Sequence, residues 1–171
     1  MSAYRIAPLA STALIAGVLA LSACAPKAPK TLPPEPGPAR SSETTPMGPT
    51  PGSQADFLAF MMGGDVVYFD TDKSDLDSTA TAALQKQAQW LLKYPNKHAT
   101  IEGHCDERGT RDYNLALGER RANAAKNYLV SIGVEPGRLN TVSYGKERPV
   151  ALGSDEASWA KNRRAVTVTI D

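Results

Sequence analysis

Residues 103–129 read GHCDERGTRDYNLALGERRANAAKNYL. Ahead of them, Ala99–Gly103 (ATIEG) is a short β-prone run. Behind its polar loop, Leu115, Ala122, Ala125, Leu129 and Ile132 recur at helical spacing, and Gly133 follows as a stop, so a helix is expected over Tyr113–Ile132. A strand opening through a charged loop into a helix places that loop where binding groups commonly sit. Asn114, Gly118 and Arg121 share one helical face. Gly118 is expected to leave that face bare, so that a ligand can approach the helix between the other two. The start of the helix lies close to the loop that carries Asp106, which puts Asp106 and Arg121 on either side of one small pocket. Such a pocket suits a ligand with an ammonium and a carboxylate on one carbon. On spacing alone, a solvated Asp–Arg ion pair explains the same residues.

Working outward, Ser53 is placed to cap a short helix over Gln54–Met62, ended by Gly63-Gly64. Asp65–Phe69 (DVVYF) reads as a strand and Leu76–Tyr94 as a helix, with Ala80, Ala83, Leu84, Gln87 and Leu91 as its stripe and Tyr94-Pro95 as its stop. Leu139–Tyr144 is a third strand, Ser154–Asn162 a short helix, and Ala165–Ile170 (AVTVTI) a last strand. The order β-α-β-α-β-(α)-β, after the short first helix, predicts an α/β (α+β) sandwich: one domain, residues 53–171, with helices packed on a mixed sheet.

The residues before that domain have a different character. Residues 25–52 hold nine of the 13 prolines and almost no large apolar side chain, the composition of a tether. Fully extended at ~3.1 Å per residue, that segment would reach about 87 Å. Residues 1–23 read as an export signal: Arg5, then the apolar run LASTALIAGVLALSA over Leu9–Ala23, too short to span a bilayer. Lys and Arg number 19 against 18 Asp and Glu, a formal net charge of +1. The excess vanishes if Arg5 is removed with the signal, which argues against a nucleic-acid partner. With 42% apolar and 22% charged residues, the composition excludes a fully disordered chain.

Two resemblances carry the reading further. Leu21-Ser22-Ala23-Cys24 resembles the bacterial lipoprotein box, which implies cleavage before Cys24 and acylation of its thiol and new N-terminus. Ala25, where an Asp would favour retention in the inner membrane, implies the outer membrane, with the domain facing the periplasm. The run quoted at the outset, with VVYFDTDKSDL, VSYGKERPV and NRRAVTV, resembles the OmpA-like peptidoglycan-binding domains, and within them the peptidoglycan-associated lipoproteins. That resemblance implies that Asp106 and Arg121 clamp meso-diaminopimelate of the peptidoglycan stem peptide. It implies that Asn114, Phe69 and Asp70 line the site and that His104 belongs to it beside Asp106. It also implies a place in the Tol–Pal system of envelope integrity and division, with Tol proteins, a TolB-like β-propeller above all, as partners. The alternative is a protein whose main task is to be an adaptor for that propeller.

No enzyme, cofactor or metal site is expected. His104 and Cys105 are neighbours on a strand, so their side chains point apart and do not make a thiol–imidazole pair. Asp70-Thr-Asp72-Lys-Ser74 has the start of a calcium loop, but Asp75 stands where Gly is needed and Thr81 where Glu is needed. The acidic run is better read as the approach to a helix N-terminus. His98 and His104 do not amount to a zinc set.

Overall fold

Among the described residues, each α-helix starts on a side chain that accepts from its first turn. Ser53 Oγ accepts from Asp56 N at 3.1 Å, ahead of α1 (Gln54–Met61). Asp77 accepts from Ala80 N at 2.6 Å, ahead of α2 (Ser78–Lys93). Thr110 opens α3 (Arg111–Ser131) and Asp155 opens α4 (Glu156–Asn162) in the same way. These caps move the expected starts of three helices, α4 beginning at Glu156 rather than Ser154 behind the Asp155 cap. α2 begins at Ser78 rather than Leu76, and α3 at Arg111 rather than Tyr113, because the capping side chain and not the first apolar residue fixes the start. A 3-10 turn over Pro136–Arg138 was not anticipated.

The computed structural model describes residues 48–170. The export signal, Cys24 and the tether up to residue 47 lie outside the described residues. Among those described, no helix is long and apolar enough to cross a membrane. Gly52 already belongs to the folded body: at φ 80° its N–H reaches Asp56 Oδ2 at 3.0 Å, and a Cβ there would lie 3.2 Å from the Tyr94 ring.

Four strands, β1 (Val66–Tyr68), β2 (His98–His104), β3 (Leu139–Gly145) and β4 (Arg164–Ile170), form one sheet in the order β1-β4-β2-β3. β4 runs antiparallel to both β1 and β2, and β2 runs parallel to β3, so the sheet is mixed as expected. The parallel pair requires a crossover, and α3 supplies it. The last strand in sequence is thus central, between β1 and β2.

The core lies between the helices and one face of this sheet. Phe57, Leu84, Leu91, Ala99, Ile101, Ala125 and Leu129 are fully buried. Trp90 meets Phe57 edge-on at 5.1 Å and donates its indole N–H to Asp56 at 2.9 Å. Polar groups in this layer are paired, as burial demands. Gln87 donates to Gly64 O and accepts from Thr167 Oγ1, both at 2.7 Å. Gln54 Oε1 accepts from the backbone and hydroxyl of Thr169, joining the first helix to the last strand. Arg138 donates to Leu91 O, Tyr94 O and Lys97 O, all at 2.8 Å, at the C-terminal end of α2.

One expectation about α3 is corrected. Gly118 does not leave room for a ligand; it faces the sheet. A Cβ on Gly103 would sit 1.8 Å from Gly118 O, and one on Gly118 would sit 2.4 Å from Ser143 Oγ. Two glycines are needed because the α3 backbone rests directly on β2. Donors from the sheet side then bind α3 carbonyls: Ser143 Oγ to Leu115 O at 2.7 Å and Cys105 Sγ to Asn114 O at 3.3 Å. This seating fixes where Asn114 and Arg121 project.

Candidate functional site

Beyond the C-terminal end of β2, the chain turns through Cys105–Thr110 into α3, and a cavity of about 250 Å³ opens between this loop, α3 and the Thr71-Asp72 segment. Asp106, Asn114 and Arg121 all line it, as do Cys105 and Arg108. Asn114 Nδ2 donates to Arg108 O at 2.7 Å and Thr110 O at 3.0 Å, which ties the loop down on the helix.

Arg121 is 0% exposed. Its Nε donates to Lys73 O at 2.9 Å, Nη1 to His104 O at 2.9 Å and to Cys105 Sγ at 3.4 Å, and Nη2 to Asp70 O at 3.0 Å. The Phe69 ring lies 5.3 Å from the guanidinium. Among the described residues no carboxylate comes within ion-pair distance of it. Burial pulls its pKa below the ordinary arginine value, against the favourable field of Asp106.

Asp106 therefore does not pair with Arg121, contrary to the simple salt-bridge alternative. It pairs with two other arginines. Arg108 grips it with Nε on Oδ1 at 3.1 Å, Nη2 on Oδ2 at 2.7 Å and its backbone N on Oδ1 at 3.1 Å. Arg163 Nη1 reaches Oδ2 at 3.5 Å. Burial pushes the Asp106 carboxyl up, but the Arg108 and Arg163 bonds more than offset it and hold it below the usual carboxylate value. Arg163 is itself fixed by Phe69 O at 3.1 Å and Glu156 at 2.7 Å.

The other expected site residues are placed differently. Phe69 and Asp70 line a neighbouring cavity of about 480 Å³ against α4. Arg163 lines that cavity too and touches Asp106 of the first, so the two share a wall. Asp70 serves Arg121 through its carbonyl, while its carboxylate pairs with Lys73 in solvent. His104 is not in either cavity. Its ring is 2% exposed and stacks on Tyr144 with centroids 5.5 Å apart. Neither ring nitrogen has a hydrogen-bond partner, and burial, with Arg164 and Arg148 nearby, lowers its pKa to about 4. Only its carbonyl serves the site, through Arg121. Cys105 is buried, and burial pushes its thiol pKa up, the reverse of an activated nucleophile.

Arg108 and Arg163 were not singled out from the sequence. Arg163 lies 57 residues from Asp106, and only the position of β4 between β1 and β2 brings the two together. The available signal was the Asn162-Arg163-Arg164 run directly ahead of a strand, where unneeded charge is unusual.

This cavity, with a buried guanidinium bonded to carbonyls and a thiol, sits in a fold that known proteins share. The OmpA family model matches residues 68–163, and the chain belongs to that family. A curated relative from Rhizobium meliloti (strain 1021), named peptidoglycan-associated lipoprotein, is 60% identical over 119 residues, which is 70% of this chain and 66% of the relative. The protein of the same name from Pseudomonas aeruginosa is 53% identical over 68% of each chain. The match thus spans about two thirds of these relatives' length. Among solved structures, the peptidoglycan-associated lipoprotein of Burkholderia pseudomallei superposes with a TM-score of 0.60 at 50% identity, covering 61% of this chain and 89% of that one. The C-terminal domain of Helicobacter pylori MotB shares the fold, with a TM-score of 0.58 at 21% identity over 62% of this chain and 84% of that one.

Proposed function

We propose that this chain is an outer-membrane lipoprotein that binds the meso-diaminopimelate stem peptide of peptidoglycan non-covalently, through Arg121 and Asp106. One observation carries it most: Arg121 is a fully buried cation that lines a cavity while bonded only to carbonyls and a thiol. A buried charge without a counter-charge is costly, and an entering carboxylate would supply one. Asp106, on the same cavity, would take the ammonium on the same carbon. The relatives' name and the family match agree with this reading. Acylation at Cys24 and the proline-rich tether would leave the domain free to reach the wall from the membrane. Binding rather than catalysis is assigned, because the one thiol at the site is buried and held protonated, and the nearest imidazole stacks elsewhere. A role in the Tol–Pal system, with a TolB-like β-propeller as partner, belongs to the same proposal.

The test is co-sedimentation with purified sacculi, with calorimetry on stem peptides. Asp106→Ala is expected to lose at least tenfold in affinity, about 1.4 kcal/mol. Peptides with Lys in place of diaminopimelate, or with its carboxylate amidated, are expected to bind much more weakly than the native form. Equal affinity for the diaminopimelate and Lys peptides would sink the clamp.

A further inference from the structure

Asp106 has no acceptor position left. A carboxylate offers two oxygens with about four lone-pair sites. Oδ1 receives the backbone N and Nε of Arg108, each at 3.1 Å; Oδ2 receives Arg108 Nη2 at 2.7 Å and Arg163 Nη1 at 3.5 Å. An incoming ammonium has nowhere to bond unless a donor departs. Arg163 is not free to go: it is buried, and its other nitrogens are committed to Phe69 O and Glu156. The Arg108 side chain is 39% exposed, and its guanidinium already lies over the Trp159 ring, 4.2 Å from the centroid. The Trp159 indole N–H is anchored on Glu107 at 3.0 Å, which holds that ring face in place.

From this saturation we infer that Arg108 is a displaceable cap on Asp106 and sets which ligands the cavity admits. This rests on the binding reading above and deepens it. Arg108 occupies the acceptor positions that a ligand ammonium needs, and on binding it slides off the carboxylate along Trp159. A lone amine would have to displace a two-pronged guanidinium and would gain nothing from Arg121 in return. A carboxylate alone engages Arg121 and leaves Arg108 in place. Only a ligand with both groups on one carbon gains at both ends, so the cap filters out stray amines.

The experiment compares two stem tripeptides by calorimetry: one with meso-diaminopimelate, the other with 2-aminopimelate, which lacks the far ammonium. The readout is the ratio of their affinities. In Arg108→Met, which keeps an apolar stem on Trp159, the ratio is expected to rise at least threefold over the wild-type chain, and in Arg108→Lys to fall in between. An unchanged or lower ratio in Arg108→Met overturns the cap while leaving the binding reading intact. Failure of the wild-type chain to bind the diaminopimelate peptide overturns both. Thermal melts report whether Arg108→Met folds; if it does not, Arg108→Gln reads the same ratio under the same criteria.

Discussion

Two buried arginines in this domain bond to backbone carbonyls in nearly the same way, yet the proposed function gives them different work. Arg138 donates to three carbonyls at and just beyond the end of α2, where the helix dipole concentrates partial negative charge. Its own charge is answered there and the end of the helix is closed. Arg121 also donates to three carbonyls, but Asp70, Lys73 and His104 belong to a loop and a strand end, and none of the three lies at the C-terminus of a helix. Hydrogen bonds hold it in place without neutralising it. Under the proposed function, the same side chain in the same kind of carbonyl cage is a structural bolt in one place and a receptor in the other. What differs is whether the carbonyls come with a dipole.

The sharpest way to break that contrast is to truncate both. Arg138→Ala strips three carbonyls of their donor, with an expected loss of about 3 kcal/mol, or roughly 10 °C in Tm, and no change in stem-peptide affinity. Arg121→Ala is expected to lose at least tenfold in affinity, beyond whatever it costs in stability. A variant of Arg138 that bound weakly while remaining folded would show that the two are not separate.

A third buried group shows burial outweighing a nearby counter-charge. His104 has the Glu102 carboxylate 3.6 Å from Nε2, beyond hydrogen-bond distance, yet burial, with Arg164 and Arg148 nearby, excludes the proton. Its folded pKa of about 4 lies below the ordinary 6.5, so the unfolded chain binds the proton first. Its contribution to stability is complete above pH 6.5 and is lost progressively as pH falls toward 4. Between pH 7 and pH 5 this predicts a loss of about 2 kcal/mol from this residue. His104→Phe keeps a ring on Tyr144, and its urea-unfolding free energy is expected to fall less over that interval than that of the wild type. Parallel pH profiles would contradict the placement.

The smallest effect is expected at Cys105. Its contacts with Arg121 and Asn114 O are thiol bonds at 3.4 and 3.3 Å, weak beside the three oxygen bonds that hold the guanidinium. Cys105→Ala should keep binding within a few-fold, less than about 1 kcal/mol. Complete loss of binding in a folded variant would make the thiol functional.

The fold was legible in the sequence because its signals are local: apolar spacing, Tyr94-Pro95, Gly133, and the β-branched run of the last strand. So was the grouping of Asp106, Asn114 and Arg121, since one loop and the helix after it carry all three. What was not legible depends on strand order and on close packing. Gly118 looked like an opening because a helical face alone does not say what lies against it; only Gly103 on the facing strand does. Asp106 and Arg121 looked like partners because they are near in sequence. The partner from afar, Arg163, arrives with a strand inserted between two earlier ones. The resemblance assigned His104 to the site, but β2 ends at His104, whose ring stacks on Tyr144 while Cys105 and Asp106, in the loop beyond, line the cavity.

The clasp between Gln54 and Thr169 has a mechanical consequence. Tension arriving along the chain ahead of Ser53 meets Gly52, held to Asp56, which is held in turn to Trp90 in the middle of the core. Two residues further on, Gln54 passes the pull to Thr169 on β4, which is flanked on both sides by other strands. The first turn of the domain is thus riveted to an interior strand of its sheet. Traction is passed to the sheet instead of peeling α1 away, and the cavity beside Arg163 lies at the opposite end of β4 from the point of pull.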